Sequence, residues 1–209
     1  MSLAQLTKTA KFKVFAVWTV VLIALDQATK IWIVNNIRLG GKKIEVIPGF
    51  FDLVHAQNRG AAMGMLDTFE YRMHVFAVFT VVALVVLGQM LMQLPDDDRF
   101  QATGLGLITS GAIGNAIDRV HKQSVTDFLR VWTDNEIAVD LLGGWFGHRT
   151  MQGGPVKWVE WPSFNVADAA IMIGLGLFVI HWLFLEKDEE VEPAPPAEAL
   201  DDDISEKAE

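Results

Sequence analysis

The sequence predicts an all-α polytopic membrane protein with four transmembrane helices, a small extracytoplasmic β-element and a long loop between spans three and four. Three observations favour this class. Of the 209 residues, 51% are hydrophobic, and the apolar residues gather in four stretches. The formal net charge of −9 falls entirely in the C-terminal tail, so the rest of the chain is neutral. A helix of about 20 apolar residues crosses the hydrocarbon core of a bilayer.

The four predicted spans cover about residues 14–34, 73–94, 101–118 and 164–185. The second and fourth carry almost no charge, and the first qualifies if Asp26 and Lys30 are accommodated. The third is short and rich in Gly and Ser, which favour close helix packing inside a bilayer. A buried helix of a soluble domain is the alternative for that segment. The first span is too long for a cleaved signal peptide, and no small-residue cleavage site follows it.

Two connections carry further structure. Ile44–Ile47 and Phe51–His55 flank a Pro-Gly pair and predict two short strands around a turn. Residues 119–163 form a long connection whose tryptophans, such as Trp158 and Trp161, are typical of the headgroup level. We interpret its extra material, residues 139–161, either as an insertion on the membrane surface or as a lid hinged at glycine pairs.

The acidity of the chain is confined to its end. Residues 186–209 hold eleven Asp or Glu and two Lys, together with three prolines. Such a segment cannot bury enough apolar surface to fold, so residues 188–209 are predicted to be a disordered acidic tail after a single domain at residues 1–187.

The absence of cysteine excludes disulfides and thiolate chemistry. No basic patch with aromatic residues favours nucleic acid as a partner.

Four crossings would bring the unusual polar residues to one face of the membrane. The ends of spans one and three and the start of span four emerge together, and with them Asp26, Asn115 and Asn165. The connections that hold Asn58 and Asp127 lie on the same face. Three lysines before span one favour a cytoplasmic N-terminus, whereas ten basic residues in the two loops of that face argue for the opposite orientation. We expect both termini in the cytoplasm and the polar face near the outer surface.

Several polar groups have both a structural and a functional interpretation. Asp26 and Lys30 are four residues apart, so on a helix they share a face and neutralise each other. Asn115 and Asp118, three apart, also share a face. The segment at residues 58–64, Asn-Arg-Gly-Ala-Ala-Met-Gly, permits close backbone approach and offers an amide for hydrogen bonding. Each group would suit a site, and each would also suit a buried pair, a helix contact or an ordinary loop.

Asp127 and Asp168 are the candidates for chemistry. An ionised side chain is costly at membrane depth, so an acid retained there marks a functional site by default. Two carboxylates in close reach do not both ionise easily, so one keeps a proton while the other deprotonates a water for attack on a carbonyl. The structural alternative is that Asp127 caps a helix and Asp168 pairs with Arg119. The five histidines show no metal-binding spacing, and no Ser/His/Asp arrangement or phosphate loop is evident.

Five short segments carry a resemblance when they are taken together: Asp26-Gln27-Ala28-Thr29-Lys30, Asn58-Arg59-Gly60-Ala61-Ala62, Gly114-Asn115-Ala116-Ile117-Asp118-Arg119, Val125-Thr126-Asp127-Phe128 and Phe164-Asn165-Val166-Ala167-Asp168. They resemble, in order, the motifs of lipoprotein signal peptidase, the type II signal peptidase of bacteria, and span residues 14–185. By position, the family's catalytic aspartates fall on Asp127 and Asp168. The resemblance implies that further residues bind substrate or support the site: Asp26, Lys30, Asn58, Gly60, Asn115, Asp118, Arg119, Asn165 and Ala167.

The resemblance implies an intramembrane aspartyl endopeptidase of the bacterial cytoplasmic (inner) membrane. Such an enzyme removes signal peptides from prolipoproteins, cutting before the cysteine that carries a diacylglyceryl group, and needs no metal or cofactor. It is inhibited by globomycin. We expect membrane lipids but no nucleic acid as partners, and a monomer.

The chain departs from the family's pattern in two places. Met63 stands where an aromatic residue is usual, a change that its flexible apolar side chain should tolerate. Asp127 and Asp168 are forty-one positions apart, a longer separation than the resemblance implies.

The alternative function is a small proton-coupled membrane transporter. It would need polar residues from one membrane face to the other, whereas the acids lie on one side.

Overall fold

The computed structural model describes residues 7–59, 69–149 and 156–185, and only the backbone at residues 143–149, 156 and 185. In chain order its elements are α1 (Ala10–Asn36), β1 (Ile44–Ile47), β2 (Phe51–Asn58), α2 (Arg72–Gln93), α3 (Arg99–Lys122), β3 (Val125–Thr133), α4 (Glu136–Phe146), β4 (Gly147–Arg149), β5 (Val156–Glu160) and α5 (Val166–Ile180), which ends in a π-helical turn, His181–Leu185. The four long helices form a bundle, and the strands form a sheet beside one end of it. The predicted tail at residues 188–209 lies outside the described residues.

The long helices begin and end at residues suited to those positions. The Thr9 side chain accepts a hydrogen bond from the N–H of Phe12 at 3.4 Å at the start of α1. The Asp98 carboxylate accepts one from the N–H of Gln101 at 2.9 Å at the start of α3. Gln123 ends α3 in the left-handed conformation, with φ of 56°. The last turn of α3 is basic, which suits the negative end of the helix dipole.

Helix α3 lies at the centre of the bundle and contacts α1, α2 and α5. Glycines make these contacts close: a side chain on Gly106 would meet the carbonyl oxygen of Phe15 at 2.9 Å, and one on Gly174 would meet that of Gly104 at 2.7 Å. Between helices in lipid, close packing of small residues replaces the hydrophobic driving force. The Gly- and Ser-rich composition of this segment therefore has a packing cause.

The strands form one antiparallel sheet in the order β1-β2-β3-β5-β4. The hairpin of β1 and β2 confirms the two predicted strands, and Gly49 takes a positive φ of 73° in its turn. Phe128 of β3 packs against Ile33 and Ile37 at the end of α1. This contact anchors the strand that carries Asp127 to the helical bundle.

The connection between α3 and α5 differs from the predicted loop. It contains β3, the helix α4 and the hairpin of β4 with β5, so the protein is mostly helical with a small antiparallel sheet. In this sheet Trp132 of β3 is paired with Glu160 of β5, and Thr133 with Val159. Strand formation depends on packing against such distant neighbours, which is why the local pattern did not reveal β5.

Among the described residues, three helices are long and apolar enough to cross a membrane. They are Ala10–Asn36, Arg72–Gln93 and Val166–Phe184, with mean hydropathies of 1.6, 2.5 and 1.9. Many of their large apolar side chains point outward, among them Val20 and Phe79. Helix α3 does not reach this hydropathy, because it contains many small and polar residues. These residues suit its position among the other helices.

Candidate active site

The two candidate catalytic aspartates lie on different elements. Asp127 is in β3, opposite Ala56 of β2. Asp168 is in the first turn of α5, where Asn165 caps the helix. The Asn165 side chain accepts a hydrogen bond from the N–H of Asp168 at 3.0 Å, and the Asp168 carboxylate accepts one from the N–H of Asn165 at 3.2 Å. This reciprocal capping box holds the Asp168 side chain at the helix start.

Two buried asparagines connect the aspartates. The Asn165 side-chain amide donates to Asp127 Oδ1 at 2.7 Å, and the Asn115 amide, from α3, donates to Asp168 Oδ1 at 2.7 Å. The Asn165 amide also lies 3.3 Å from Asn115 Oδ1. A continuous chain of side-chain hydrogen bonds therefore runs from one aspartate to the other through residues of α3, β3 and α5.

The surroundings of Asp127 favour its protonated form. The residue is buried, with 4% of its surface exposed. Burial raises the pKa of Asp127 to about 7, and the negative charge of Asp168 acts in the same direction. Hydrogen bonds from Asn165 and Asn58 and the charge of Lys30 oppose that rise in pKa. At neutral pH a large fraction of the molecules therefore carries a proton on Asp127, as an acid catalyst requires.

A fully buried lysine lies beside the asparagines. Lys30 Nζ is 2.9 Å from Asp26 Oδ2, 3.4 Å from Asp118 Oδ2 and 3.1 Å from Asn115 Oδ1. The pairing that the four-residue spacing of Asp26 and Lys30 predicts is thus present, and Asp118 joins it. Each of the three charged side chains is at most 1% exposed, and charges buried to this degree must be paired.

The remaining predicted site residues have different positions. Asn58, at the end of β2, hydrogen-bonds to Asp127 through its side chain, and Ala167 donates its backbone N–H to Asp26 Oδ1 at 3.0 Å. The Arg119 guanidinium lies over the ring of Phe76, 4.2 Å from its centre. Gly60 is outside the described residues.

The structural alternative for the two aspartates is wrong. Asp127 lies within a strand, where it cannot cap a helix, and the Asp168 carboxylate bonds to Asn115 and its own helix start. Among ion pairs within 4.0 Å in the described part of the chain, none joins Arg119 to Asp168. Arg119 acts on Asp168 and Asp127 through longer-range electrostatics.

Two supporting residues were not predicted. Lys122 Nζ lies 3.1 Å from Asp118 Oδ1 and 3.2 Å from the Thr126 hydroxyl. The Gln27 amide donates to Asp26 at 3.0 Å and to the carbonyl oxygen of Gly114 at 3.2 Å. The spacing of Asp118 and Lys122 is that of a helical ion pair and was a usable signal. The partners of Gln27 gave no such signal.

In residues 7–59, 69–149 and 156–185, no cluster of three or more His, Asp or Glu could hold a metal ion.

Comparison with known proteins gives consistent matches. Residues 18–184 match the family model described as signal peptidase (SPase) II. The chain is 37% identical over 172 residues to the lipoprotein signal peptidase of Geobacter metallireducens, covering 82% of this chain and 91% of the relative. It is 36% identical over 173 residues to that of Syntrophotalea carbinolica, with 83% and 92% covered. A bacterial membrane enzyme solved by the in meso method at 2.3 Å resolution matches with a TM-score of 0.62 at 27% identity, over 85% of this chain and 94% of that one.

Proposed function

This chain belongs to the signal peptidase II family, and we propose that it is an intramembrane aspartyl endopeptidase. Family membership supplies the reaction class, which is proteolysis in lipoprotein signal peptide processing. The observation that supports the aspartyl mechanism is the hydrogen-bonded chain from Asp127 to Asp168 through Asn165 and Asn115. The proposed substrate is a diacylglyceryl-modified prolipoprotein, cut before its lipid-modified cysteine, and globomycin is the proposed inhibitor.

The two aspartates would divide the acid and base roles. Asp127, with a pKa raised to about 7, holds the proton and donates it to the scissile carbonyl oxygen. Asp168 takes a proton from the water that attacks the carbonyl carbon. When the intermediate collapses, Asp168 returns its proton to the leaving nitrogen, and Asp127 recovers one from the hydroxyl that becomes the new carboxyl group. Each carboxyl then regains its starting protonation state.

We infer that α3 is a fourth membrane crossing. It is 24 residues long and lies among three helices that are apolar enough to span a bilayer. Its polar residues Thr109, Ser110, Asn115 and Asp118 are buried, so the lipid does not contact them. Four crossings put both termini in the cytoplasm and the aspartates near the outer face, if the lysine-rich N-terminus is cytoplasmic. There a lipid-anchored peptide from the bilayer and water from outside can meet.

The test replaces each aspartate by its amide. Asp127→Asn and Asp168→Asn should each lower the cleavage rate by about 10²–10⁴-fold, because an amide cannot exchange the proton that the mechanism transfers. Cleavage of a diacylglyceryl-modified prolipoprotein by purified protein is followed by gel shift, with and without globomycin. Asp52→Asn is the matched control, because Asp52 is buried like Asp127 but lies on β2 and bonds to Lys43. Near wild-type turnover in either dyad variant would reject the mechanism.

The transporter alternative is not supported. The matching family and the similar curated proteins are peptidases. A transporter's relay would also need polar residues along the full depth of the bundle. The buried polar network described above is concentrated where α1 and α3 end and α5 begins. The other buried charge on α1, Lys11, is held at the far end of that helix by Asp96 at 3.0 Å.

A further inference from the structure

We propose that Lys30 is a positioning residue that sets the spacing of the two catalytic aspartates. It does so by linking two other carboxylates, those of Asp26 and Asp118. Each of these holds the backbone next to one catalytic aspartate. The inference rests on the proposed aspartyl mechanism, in which Lys30 itself takes no chemical step. It assigns to the buried lysine a role in catalysis beyond the neutralisation of nearby acids.

Asp118 and Asp26 make matching contacts to the backbone. Asp118 Oδ2 accepts the N–H of Thr126 at 2.9 Å, and Asp26 Oδ1 accepts the N–H of Ala167 at 3.0 Å. Thr126 and Ala167 are the residues immediately before the two catalytic aspartates. We call these two contacts the backbone clamps. A hydrogen bond to a charged acceptor is short and strong, so each clamp fixes the peptide unit that leads into a catalytic residue.

Lys30 joins the two clamps. Its ammonium lies 2.9 Å from the Asp26 carboxylate and 3.4 Å from that of Asp118, in each case at Oδ2. It also donates to Asn115 Oδ1 at 3.1 Å, and Asn115 in turn donates to Asp168. Two buried carboxylates without a cation between them would repel each other strongly, because the surrounding dielectric is low. The ammonium therefore sets the distance between the clamps.

The other charged or polar groups at the clamps cannot replace this link. Lys122, from the last turn of α3, contacts Asp118 Oδ1 at 3.1 Å and is partly exposed. Gln27 donates to Asp26 Oδ2, the oxygen that Lys30 also contacts, but its amide carries no charge. Arg119 acts on the catalytic pair and Asp118 at longer range. Among the cations in the described part of the chain, Lys30 alone has an ion pair with both clamp carboxylates.

The test compares two buried lysines of α1. Lys30→Met should lower kcat by about 100-fold with little change in KM, because a shift of about 1 Å in catalytic groups has that effect. It should also move the limbs of the pH–rate profile, which report the coupled carboxylates. Lys11→Met is the control: Lys11 is 2% exposed, and its ion pair with Asp96 lies at the other end of the helix. This variant should lose stability but keep the wild-type kcat and pH profile.

A second variant covers the case in which Lys30→Met does not fold. Lys30→Gln combined with Asp26→Asn removes one charge of each sign, and the new amide oxygen can still accept the N–H of Ala167. We expect this protein to insert and to show the same loss of kcat. Wild-type kcat and an unchanged pH profile in a folded Lys30 variant would overturn the positioning role.

The same assay separates this inference from the proposed function. Wild-type protein and Asp127→Asn are measured alongside the Lys30 variants. If Asp127→Asn cleaves normally, the aspartyl mechanism fails and the positioning role fails with it. If Asp127→Asn is inactive while a folded Lys30 variant keeps the wild-type kcat, only the positioning role fails.

Discussion

At the scale of single residues, the burial of Asp127 is the property with the clearest chemical consequence. Because burial raises the pKa of Asp127 to about 7, the folded protein binds this proton more tightly than the unfolded chain does. The resulting contribution to stability is complete below the unfolded value of about 4 and is lost as the pH rises through about 7. At neutral pH part of this contribution to stability is therefore lost, while a large fraction of the molecules still carries the proton on Asp127.

The cleavage rate should fall as the pH rises above about 7, because Asp127 then loses the proton that it donates. Asn58→Ala should move this descending limb to higher pH. The hydrogen bond from Asn58 favours the ionised form and lowers the pKa, so its removal raises it. The measurement is the pH dependence of kcat/KM for both proteins. A limb that stays in place or moves to lower pH in the variant would contradict this account of Asp127.

At the scale of elements, the site depends on how closely α3 and α5 approach. A side chain on Gly111 of α3 would collide with the carbonyl oxygen of Ala167, and one on Gly114 would meet Asp26 Oδ2 at 2.6 Å. Further along, Gly174 of α5 lies against Gly104 and Ile108. Helices α3 and α5 are therefore in backbone contact at Gly111 and Gly174, and Gly114 makes room for the Asp26 side chain of α1.

Gly174→Ala should destabilise the protein by about 1–3 kcal/mol, because its new methyl group would lie 2.7 Å from both the Gly104 carbonyl oxygen and Ile108 Cγ1. Gly176→Ala, two positions along the same helix, has nothing within 4 Å and should be neutral or slightly stabilising. Thermal unfolding in detergent would compare the two variants. Equal melting temperatures would show that close packing of α3 and α5 contributes little to stability.

At the scale of the whole molecule, the segment between β3 and β5 contains a helix, α4, that packs against β5. Side chains alternate along a strand, so Val131 lies on the same face of β3 as Asp127. A cavity of about 270 Å³ lies beside the end of β3, and its lining includes Phe50, Val131, Leu142, Val159 and Trp161. The size is slightly below the usual range of small-molecule sites, which begins at about 300 Å³. The loop predicted at residues 139–161 thus includes part of α4, whose Leu142 lines the same cavity as Val131.

Replacing residues 135–157 by a short turn should preserve the fold, because β3 and β5 are antiparallel neighbours that a tight hairpin can join. We expect an unchanged kcat, a KM raised by about tenfold and weaker inhibition by globomycin. A tenfold change is comparable to the loss of one buried apolar contact. Leu141→Ser is the control, since Leu141 lies on α4 outside the cavity and is 74% exposed. Wild-type KM and inhibition in the shortened protein would leave only the surface-insertion interpretation.

Features that depend on neighbouring residues could be predicted from the sequence alone. The apolar runs predicted the long helices, a Pro-Gly pair between apolar runs predicted the first hairpin, and the four-residue spacing predicted the pairing of Asp26 with Lys30. These predictions succeeded because hydropathy, turn chemistry and helix spacing act over a few residues. The motif resemblance also identified the family, whereas its assignment of Asp127 and Asp168 as the catalytic pair stays a prediction.

The way these features combine depends on contacts between distant parts of the chain. The bond from Ala167 to Asp26 joins residues 141 positions apart, and that from Asn115 to Asp168 joins residues 53 apart. No local pattern encodes which distant partners will meet, so the two clamps, the asparagine chain and the pairing of β5 were not predicted. The raised pKa of Asp127 has the same origin, because burial and nearby charge are properties of the packed molecule rather than of any segment.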